Sequence, residues 1–354
     1  MISIDKTFSG VQDVSKALSF NEKTLTVWME ENIKDFKPPL KVKQFKGGQS
    51  NPTYRIETKP YTYVLRRKPP GKLLPSAHAV DREFKIMSAL HTFGYPVPKM
   101  HTFCDDVNIV GTPFYIMEYV EGRIFWDALM PKVTIEDRYA LYEATNKQLA
   151  KLHEIDFQSI GLKDFGKSGN FFARQISRWS TQYKSSETSK IDEMNNLILW
   201  LPTAIPKQER NSIVHGDFRI DNIIFHPTKP KVLAVLDWEL STLGDPLSDF
   251  TYHLMQWKMP SGIRGGFNKL NLKNYGIPEF NEYIDLYCQN TNRGSIPNLE
   301  FYFAFNIFRL ASIIQGVYSR ALQGNASNIK AIEMGEMIQP LAELSWSFAR
   351  KSGA

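Results

Sequence analysis

The sequence predicts an α+β fold in which a small antiparallel β-sheet comes first and a larger, mostly helical part follows. Residues 40–65 carry a strand-like pattern of apolar residues around a turn-rich segment. After residue 122, most segments repeat apolar residues every three or four positions, as helices do. The chain has 354 residues, of which 42% are hydrophobic. That length and composition suffice for about two packed domains.

The first predicted domain covers residues 1–119. The apolar residues of segment 21–33 follow a helical period, and Pro38-Pro39 ends this helix. The remaining predicted elements, in order, are three strands within residues 40–65, a helix over residues 80–93, and strands near residues 99–103 and 112–119. We therefore expect a five-stranded sheet with an N-terminal helix and one further helix.

The second predicted domain covers residues 120–354. The boundary lies where Glu121-Gly122 marks a flexible exit from the last strand. Helices are expected over residues 135–153, 171–184, 193–201, 281–289, 300–323 and 329–351. The segment that holds the strongest motif of the chain, residues 213–237, interrupts this helical part as strand and loop.

Composition and charge exclude several classes of protein. The formal net charge of +6 is small for this length, so it favours an anionic ligand only mildly and does not indicate nucleic-acid binding. Cys104 and Cys288 have no partner at metal-ligand spacing, which excludes a disulfide scaffold or zinc finger and is typical of a reducing compartment. No stretch approaches about eighteen apolar residues. We expect a soluble, cytoplasmic protein that binds neither nucleic acid nor membranes, in an oligomeric state that the sequence does not predict.

The segment Ile213-Val-His-Gly-Asp-Phe-Arg-Ile-Asp-Asn222 and the later Asp237 carry residue types that phosphoryl transfer uses. The reaction needs a carboxylate to accept the proton of the attacking hydroxyl and Mg²⁺ held by amide and carboxylate oxygens. Asp217, Asn222 and Asp237 supply that set. Asp217 and Asn222 are expected to face one cleft, and Asp237 ends an apolar strand beside them. We expect one hairpin sheet to carry all three residues.

Two further residues are predicted to support this loop. His215 adjoins Gly216 and Asp217, so we interpret its imidazole as fixing a tight loop through hydrogen bonds and not as the base. Asp249 closes the sequence Gly244-Asp-Pro-Leu-Ser-Asp249 at the start of a helix, where it would hold the loop from behind. An ordinary helix cap is the alternative for Asp249.

A glycine-rich loop is the first candidate for nucleotide contact. Gly47, Gly48, Ser50 and Asn51 belong to a predicted strand–turn–strand segment, so their backbone amides could close over phosphates. Two adjacent glycines before a strand also make an ordinary hairpin turn. The interpretation as a phosphate loop depends on the motif that follows at Asp217.

Arg66 and Glu83 are the second candidate. Arg66 ends a strand and Glu83 lies on the following helix, so an acid could hold this cation against the α and β phosphates of a nucleotide. An ordinary surface pair is the alternative. Glu118 and Val120 lie at the domain boundary, where backbone groups could contact adenine, and a buried strand accounts for them equally well.

Arg309 and Arg320 are candidates for contact with the second substrate. They are eleven residues apart in one predicted helix and therefore lie on nearly the same face. An anion could bind along that face. Pairing of both arginines with acids of neighbouring helices is the alternative.

These motifs together resemble the aminoglycoside phosphotransferase and choline kinase superfamily over nearly the whole chain. The resemblance is carried by Gly-Gly-Gln-Ser-Asn, Val-Leu-Arg, Arg-Glu-Phe, Met-Glu-Tyr-Val-Glu-Gly, His-Gly-Asp-Phe-Arg-Ile-Asp-Asn and Leu-Asp-Trp-Glu. Within the superfamily, residues 45–54, 65–75 and 308–318 are similar to the branch that is fused to acyl-CoA dehydrogenases in animals.

The resemblance implies a protein-kinase-like bilobal fold that uses ATP and Mg²⁺, with the sheet domain as N-lobe and the helical domain as C-lobe. It implies Asp217 as base, Asn222 and Asp237 as metal ligands, and Glu83 as partner of the nucleotide-contacting cation. The superfamily usually has Lys at the position of Arg66, whose wider, planar guanidinium binds phosphate differently.

The branch that the chain resembles phosphorylates hydroxyl groups of hydroxyacyl compounds, including 4-hydroxy acids as CoA thioesters. The resemblance therefore implies a small-molecule hydroxyl acceptor, and the two arginines favour an anionic one. Two alternatives remain open, namely an aminoglycoside-type antibiotic kinase and a non-catalytic nucleotide-binding module of the same fold.

Overall fold

The computed structural model describes residues 9–47, 51–71, 78–167, 169–261, 265–323 and 330–354. These residues form two compact units, each assembled from several chain segments. The sheet unit comprises the described residues within Met1–Thr145, Asp156–Phe165 and Arg219–Ser241, and the helical unit comprises those within Asn146–Ile155, Gly166–Phe218 and Thr242–Ala354. The predicted α+β class, with an antiparallel sheet followed by a mostly helical part, is confirmed.

The sheet unit contains an antiparallel sheet of six described strands in the order β1-β2-β3-β4-β6-β5. The strands are β1 (Val11–Gln12), β2 (Lys41–Phe45), β3 (Thr53–Glu57), β4 (Thr62–Arg67), β5 (Met100–Cys104) and β6 (Phe114–Glu118). Five of them match the predicted strands. The sixth, β1, contains two residues, and a strand that short shows no alternation of apolar and polar side chains.

Three helices accompany this sheet, α1 (Glu22–Asn32), α2 (Val80–Phe93) and α3 (Val107–Val110). Asn21 caps α1 because its side-chain oxygen accepts the amide hydrogens of Lys23 and Thr24. Leu25 and Met29 of α1 are fully buried in the apolar cluster that also contains residues of β2, β3, β4 and β6. Helices α1 and α2 confirm the two helices predicted for this part of the chain.

A separate β-hairpin completes the sheet unit. Its strands are β8 (Ile223–Phe225) and β9 (Val232–Val235), in which Ile223 pairs with Val235. The amide of Leu236 donates to the carbonyl oxygen of Asn222 over 2.8 Å, which extends the ladder by one step. Asn222 and Asp237 therefore lie at the same, open end of the hairpin.

The helical unit contains a second strand pair, in which β7 (Ser212–Val214) runs antiparallel to β10 (Thr242–Gly244). Helix α4 (Ile135–Glu154) belongs partly to each unit. The helices that follow are α5 (Phe171–Ser186), α6 (Asp192–Trp200), α7 (Pro246–Leu254), α8 (Phe280–Asn290), α9 (Leu299–Leu322), α10 (Lys330–Glu333) and α11 (Ile338–Lys351).

Helix α9 forms the centre of the helical unit, since its residues are buried almost without interruption from Phe301 to Gly316. Phe172 of α5 packs against it, with its ring 5.1 Å from that of Phe305. The single helix predicted over residues 329–351 is wrong in one respect, because a 3₁₀ turn separates α10 from α11. Gly335 lies in that turn, and a Cβ there would come within 2.6 Å of the Tyr318 ring.

None of the helices in the described part of the chain is long and apolar enough to cross a bilayer.

The buried His253 of α7 makes the stability of the helical unit depend on pH. Its Nε2 lies 2.9 Å from the Tyr283 hydroxyl, and burial lowers the pKa of His253 from 6.5 to about 4. As pH falls from about 6.5 to about 4, the unfolded chain takes up a proton on this imidazole and the folded chain does not. The folded state thus loses about 3 kcal/mol of stability over that window.

Between pH 7 and pH 4.5, we expect the free energy of unfolding to fall in both proteins. The fall should be about 2–3 kcal/mol smaller in His253→Gln than in the wild type. Urea unfolding at a series of pH values measures this difference. The control is the same change at His91, an exposed histidine. Parallel curves for wild type and His253→Gln would contradict the expectation.

Candidate active site

In the sheet unit, Arg66 of β4 joins two carboxylates. Its Nε lies 3.0 Å from Glu83 Oε2, and its Nη2 lies 3.2 Å from Glu83 Oε1, so the two side chains form a bidentate pair. The same Nη2 lies 2.5 Å from Asp237 Oδ1. The ion pair that the sequence predicts between Arg66 and Glu83 is present, and the contact with Asp237 was not predicted.

This network is buried at its centre. Arg66 is 7% exposed and Glu83 is fully buried, and the Tyr115 hydroxyl donates to Glu83 Oε2 over 2.7 Å. Burial opposes the charged form of Arg66, but the carboxylates of Glu83 and Asp237 raise its pKa well above the ordinary value. Arg66 is therefore a fixed positive charge, and removal of either carboxylate would leave part of that charge uncompensated.

Asp237 reaches this network from an unusual backbone conformation. It follows β9 with φ 64° and ψ 64°, which is the left-handed region. Asp is one of the few residues other than glycine that adopt this region readily. Residues other than glycine in this region concentrate at functional sites, where the surrounding structure holds them in place.

Oxygen ligands suited to a hard divalent cation gather at this point. Carboxylate oxygens of Glu83, Asp237 and Glu239 lie within 4.8 Å of one another, and Glu239 Oε2 lies 3.8 Å from Arg66 Nη2. The backbone of Asn222 lies at the same end of the hairpin as Asp237, so its side-chain amide is a further candidate ligand. Carboxylate and amide oxygens are ligands that Mg²⁺ accepts.

The glycine-rich loop is described in part. Gly48 and Ser50 lie outside the described residues, and Gly47 forms a bend after β2. Asn51 is fully buried, and its Nδ2 donates to Glu239 Oε2 over 3.2 Å while its Oδ1 lies 3.0 Å from His78 Nδ1. The end of this loop is thus tied to the carboxylate cluster.

The two residues predicted at the domain boundary lie at the end of β6. Glu118 is exposed, and its Oε2 accepts the amide hydrogen of Lys99 over 3.2 Å. Val120 is half-buried two residues after the strand. Contact of this segment with adenine stays a prediction.

In the helical unit, the loop after β7 holds His215, Gly216 and Asp217. The carboxylate of the buried Asp249 accepts the amide hydrogens of His215 and Gly216 over 2.6 and 2.9 Å. Gly216 has φ 85°, a conformation that favours glycine. The Nδ1 atom of His215 accepts the Asp217 amide hydrogen over 3.2 Å, so the imidazole fixes the loop from inside.

Asp249 is therefore more than a helix cap. The cap of α7 is Asp245, whose side chain accepts the Leu247 amide hydrogen over 2.8 Å. Burial opposes ionisation of Asp249, but the His153 ring and the His215 amide hold its pKa below the ordinary value. The geometry agrees with the predicted support of the loop from behind.

Asp217 is partly exposed, and its Oδ1 accepts a hydrogen bond from the Tyr252 hydroxyl over 2.6 Å. Arg309 of α9 donates from Nη2 to the carbonyl oxygen of Gly216 over 2.6 Å, and its guanidinium lies 5.1 Å from the centre of the Tyr252 ring. Sequence reasoning missed Tyr252. The signal was its position three residues after Asp249 on one helix, which places both on nearly the same face.

Arg309 and Arg320 do not form the predicted pair of anion-binding residues. Arg309 is 8% exposed and its guanidinium donates to the carbonyl oxygen of Gly216, whereas Arg320 is exposed. Eleven residues of helix separate them by about 16 Å along its axis. The two arginines lie on nearly the same face of α9, as predicted, but the Arg309 side chain is buried and the Arg320 side chain is exposed.

The expectation that one hairpin sheet carries all three catalytic candidates is wrong. The strand before Asp217 pairs with β10, whereas Asn222 and Asp237 flank the β8–β9 hairpin. The chain leaves the helical unit directly after Phe218. Along the chain, the short 3₁₀ turn Ile220–Asn222 lies between β7 of the first strand pair and β8 of the second.

Comparison with known proteins identifies the class. A family model described as "Phosphotransferase enzyme family" matches residues 41–283. Acyl-CoA dehydrogenase family member 10 of Mus musculus is 49% identical over 317 residues, which cover 89% of this chain and 30% of that protein. The chain spans less than half the length of the curated relatives it matches.

Solved structures agree with this assignment. A crystal structure from Ralstonia eutropha, described as a candidate aminoglycoside phosphotransferase, is 46% identical with a TM-score of 0.85, covering 94% of this chain and 99% of that one. Spectinomycin phosphotransferase, solved with ADP and spectinomycin, is 10% identical with a TM-score of 0.61, covering 93% and 98%. The chain belongs to the phosphotransferase enzyme family and has the kinase-like α+β fold.

We expect Asp249→Asn to destabilise the protein by about 2–3 kcal/mol. The wild-type carboxylate accepts hydrogen bonds from two backbone N–H groups, whereas the NH₂ group of asparagine would face one of them and leave it without an acceptor. Asp245→Asn is the matched control on the same helix. Asn caps helices as well as Asp does, and burial raises the pKa of Asp245 to about 6, so this change should cost little. Urea unfolding at pH 7 measures both. Equal effects of the two changes would contradict the assigned role of Asp249.

Proposed function

We propose that this protein is an ATP- and Mg²⁺-dependent kinase that transfers the γ-phosphoryl group to a hydroxyl of a small molecule. The observation that carries this proposal is the buried Arg66, held by Glu83 and in contact with Asp237. A cation fixed on a buried acid next to carboxylates suited to a divalent metal is what phosphate binding in a kinase-like fold needs. Membership of the phosphotransferase family supports the same class.

The residues at the open end of the β8–β9 hairpin fit a magnesium ion. Asp237 and Asn222 offer a carboxylate and an amide oxygen there, and Glu239 adds a further carboxylate close to Asp237. Mg²⁺ bound by such a set would neutralise charge on the β and γ phosphates. We assign Asn222 and Asp237 as its protein ligands.

Asp217 is the proposed base. Its carboxylate would accept the proton of the acceptor hydroxyl as that oxygen forms a bond to the γ-phosphorus and the bond from phosphorus to the β–γ bridging oxygen breaks, leaving ADP. The Tyr252 hydroxyl holds one carboxylate oxygen, and the Asp249 carboxylate holds the loop amides on the preceding side. Most of the rate would come from positioning and electrostatics.

The backbone of the glycine-rich loop and Arg66 would bind the nucleotide phosphates. Asn51, at the end of that loop, is hydrogen-bonded to Glu239, so the loop and the metal-binding carboxylates belong to one network. The segment at Glu118 and Val120 would contact adenine through backbone groups. These assignments cover both ends of the nucleotide.

We propose an anionic hydroxyacyl compound, such as a hydroxy acid or its CoA thioester, as acceptor. The relatives that are 39–49% identical carry acyl-CoA dehydrogenase names, which supports an acyl-linked acceptor. An aminoglycoside acceptor is the second candidate, because the Ralstonia eutropha structure at 46% identity carries that description. The formal net charge of +6 mildly favours the anionic acceptor.

We expect Asp217→Asn to reduce turnover by about 10²–10⁴-fold, the usual contribution of a general base. Nucleotide affinity should change little, because the amide oxygen can still accept the Tyr252 hydrogen bond. Coupled ADP release measures turnover, and a fluorescent ADP analogue measures binding. The control is Asp221→Asn in the same motif, where the carboxylate pairs with Arg219. Unchanged turnover of Asp217→Asn would remove Asp217 as base.

A screen of hydroxy acids, hydroxyacyl-CoA thioesters and aminoglycosides with ATP and Mg²⁺ tests the acceptor class. We expect one phosphoryl group to be added to a hydroxyacyl compound, detected as a mass increase of about 80 Da, the mass of HPO₃. Reactions with Asp217→Asn provide the background. Phosphorylation of aminoglycosides alone would favour the second candidate, and ATP binding without turnover on any acceptor class would favour a non-catalytic nucleotide-binding module.

A further inference from the structure

One guanidinium group contacts three carboxylates in the sheet unit, and one of the three is a proposed metal ligand. Arg66 Nη2 lies 2.5 Å from Asp237 Oδ1, whereas Glu239 Oε2 lies 3.8 Å away. A charge-assisted hydrogen bond of that length is among the strong ones. Asp237 is therefore neutralised by an arginine of the same chain.

We propose that Arg66 competes with the divalent metal for Asp237, and that the phosphates of a nucleotide remove this competition, so that metal and nucleotide bind cooperatively. The inference rests on the proposed function, since it takes Asp237 as metal ligand and Arg66 as phosphate contact. It adds a coupling between the two binding events that neither assignment contains.

The metal alone binds weakly because Arg66 cannot move away. Glu83 is fully buried, holds the guanidinium through two hydrogen bonds and is itself held by the Tyr115 hydroxyl. A metal ion on Asp237 would have to break the 2.5 Å contact and lie beside a positive charge that burial shields from water. The loss of this contact and the repulsion between the two positive charges both lower the affinity for the metal.

A nucleotide offers Arg66 a replacement partner. The guanidinium uses Nε and one hydrogen of Nη2 for Glu83, and the second hydrogen of Nη2 for Asp237. Its Nη1 makes a long contact of 3.5 Å with the Thr53 hydroxyl. A phosphate that accepts from Nη1 and from the second Nη2 hydrogen would leave the pair with Glu83 intact and release Asp237.

With lysine at position 66, the binding of the metal and the binding of the nucleotide would be less strongly coupled. An ammonium group is a single point of charge and lacks the fork by which a guanidinium holds Glu83 in two places and still reaches Asp237. In Arg66→Lys we expect the ammonium to stay with the buried Glu83 and to leave Asp237 accessible to metal. This variant keeps the buried charge pair, which favours correct folding.

The test measures metal and nucleotide binding without any acceptor. Electron paramagnetic resonance gives the affinity for Mn²⁺, an oxygen-seeking substitute for Mg²⁺, and a fluorescent ADP analogue gives nucleotide affinity with and without Mn²⁺. ADP chelates Mn²⁺ equally with every variant, so comparison between variants removes that contribution. Variants are Arg66→Lys and the double change Arg66→Met with Glu83→Gln, which leaves no unpaired buried charge.

We expect both variants to bind Mn²⁺ without nucleotide about 10-fold more tightly than the wild type, and their coupling between Mn²⁺ and ADP to fall by a similar factor. Arg55→Lys, which changes the Arg55–Glu57 pair on the neighbouring strand β3, is the matched control and should behave as wild type. Circular dichroism and urea unfolding verify folding, and Arg66→Lys decides the question if the double variant is unfolded.

Equal nucleotide-free Mn²⁺ affinity in the wild type and Arg66→Lys, with ADP binding retained, would overturn the competition while leaving the proposed function intact. Failure of the wild type to bind ADP or Mn²⁺ in any combination would overturn the proposed function and the competition together. Cooperative binding in the wild type that both variants reduce supports the inference.

Discussion

The structure of the sheet unit depends on one buried cation. Arg66 of β4 connects the sheet, the helix α2 that bears Glu83 and the turn after the β8–β9 hairpin, which carries Asp237. A buried charge of this kind is tolerated only when its partners are complete, so the sheet, helix and hairpin must adopt their positions together. The same constraint holds together the carboxylates of the proposed metal and nucleotide site.

The helical unit holds a short loop that contains Asp217, the proposed base. Both backbone groups of Gly216 are bonded, the amide to Asp249 and the carbonyl to Arg309. The side chain of Asp217 is held by Tyr252, which lies under the guanidinium of Arg309. Positions fixed in this way reduce the reorganisation that a proton transfer would otherwise require.

The sequence predicted the long elements well, because helices such as α2 and α9 have a clear apolar period and their ends are marked by turn residues. It also predicted the pair of Arg66 and Glu83, since a cation ending one strand and an acid on the next helix meet in this fold. It could not predict the contact of Arg66 with Asp237, which depends on the left-handed backbone of Asp237 and on a hairpin far along the chain.

The loop that holds Asp217 shows the same division between what the sequence predicts and what it does not. His215, Asp217 and Asp249 were selected from their spacing in the sequence. Tyr252 looks in the sequence like an ordinary buried helix residue and was found only through its hydrogen bond to Asp217. Arg309 was selected for charge and proved to bind a loop carbonyl. Side chains whose role depends on contacts across the sequence leave little local signal.

A crystal structure with Mn²⁺ and a non-hydrolysable ATP analogue, in which anomalous scattering locates the metal, would show directly which residues hold the metal and the phosphates. We expect manganese bound to oxygens of Asp237 and Asn222, with Arg66 still paired to Glu83 and donating its second Nη2 hydrogen to a phosphate instead of to Asp237. Manganese located away from both residues, or an unchanged contact between Arg66 and Asp237 in the loaded protein, would contradict this expectation.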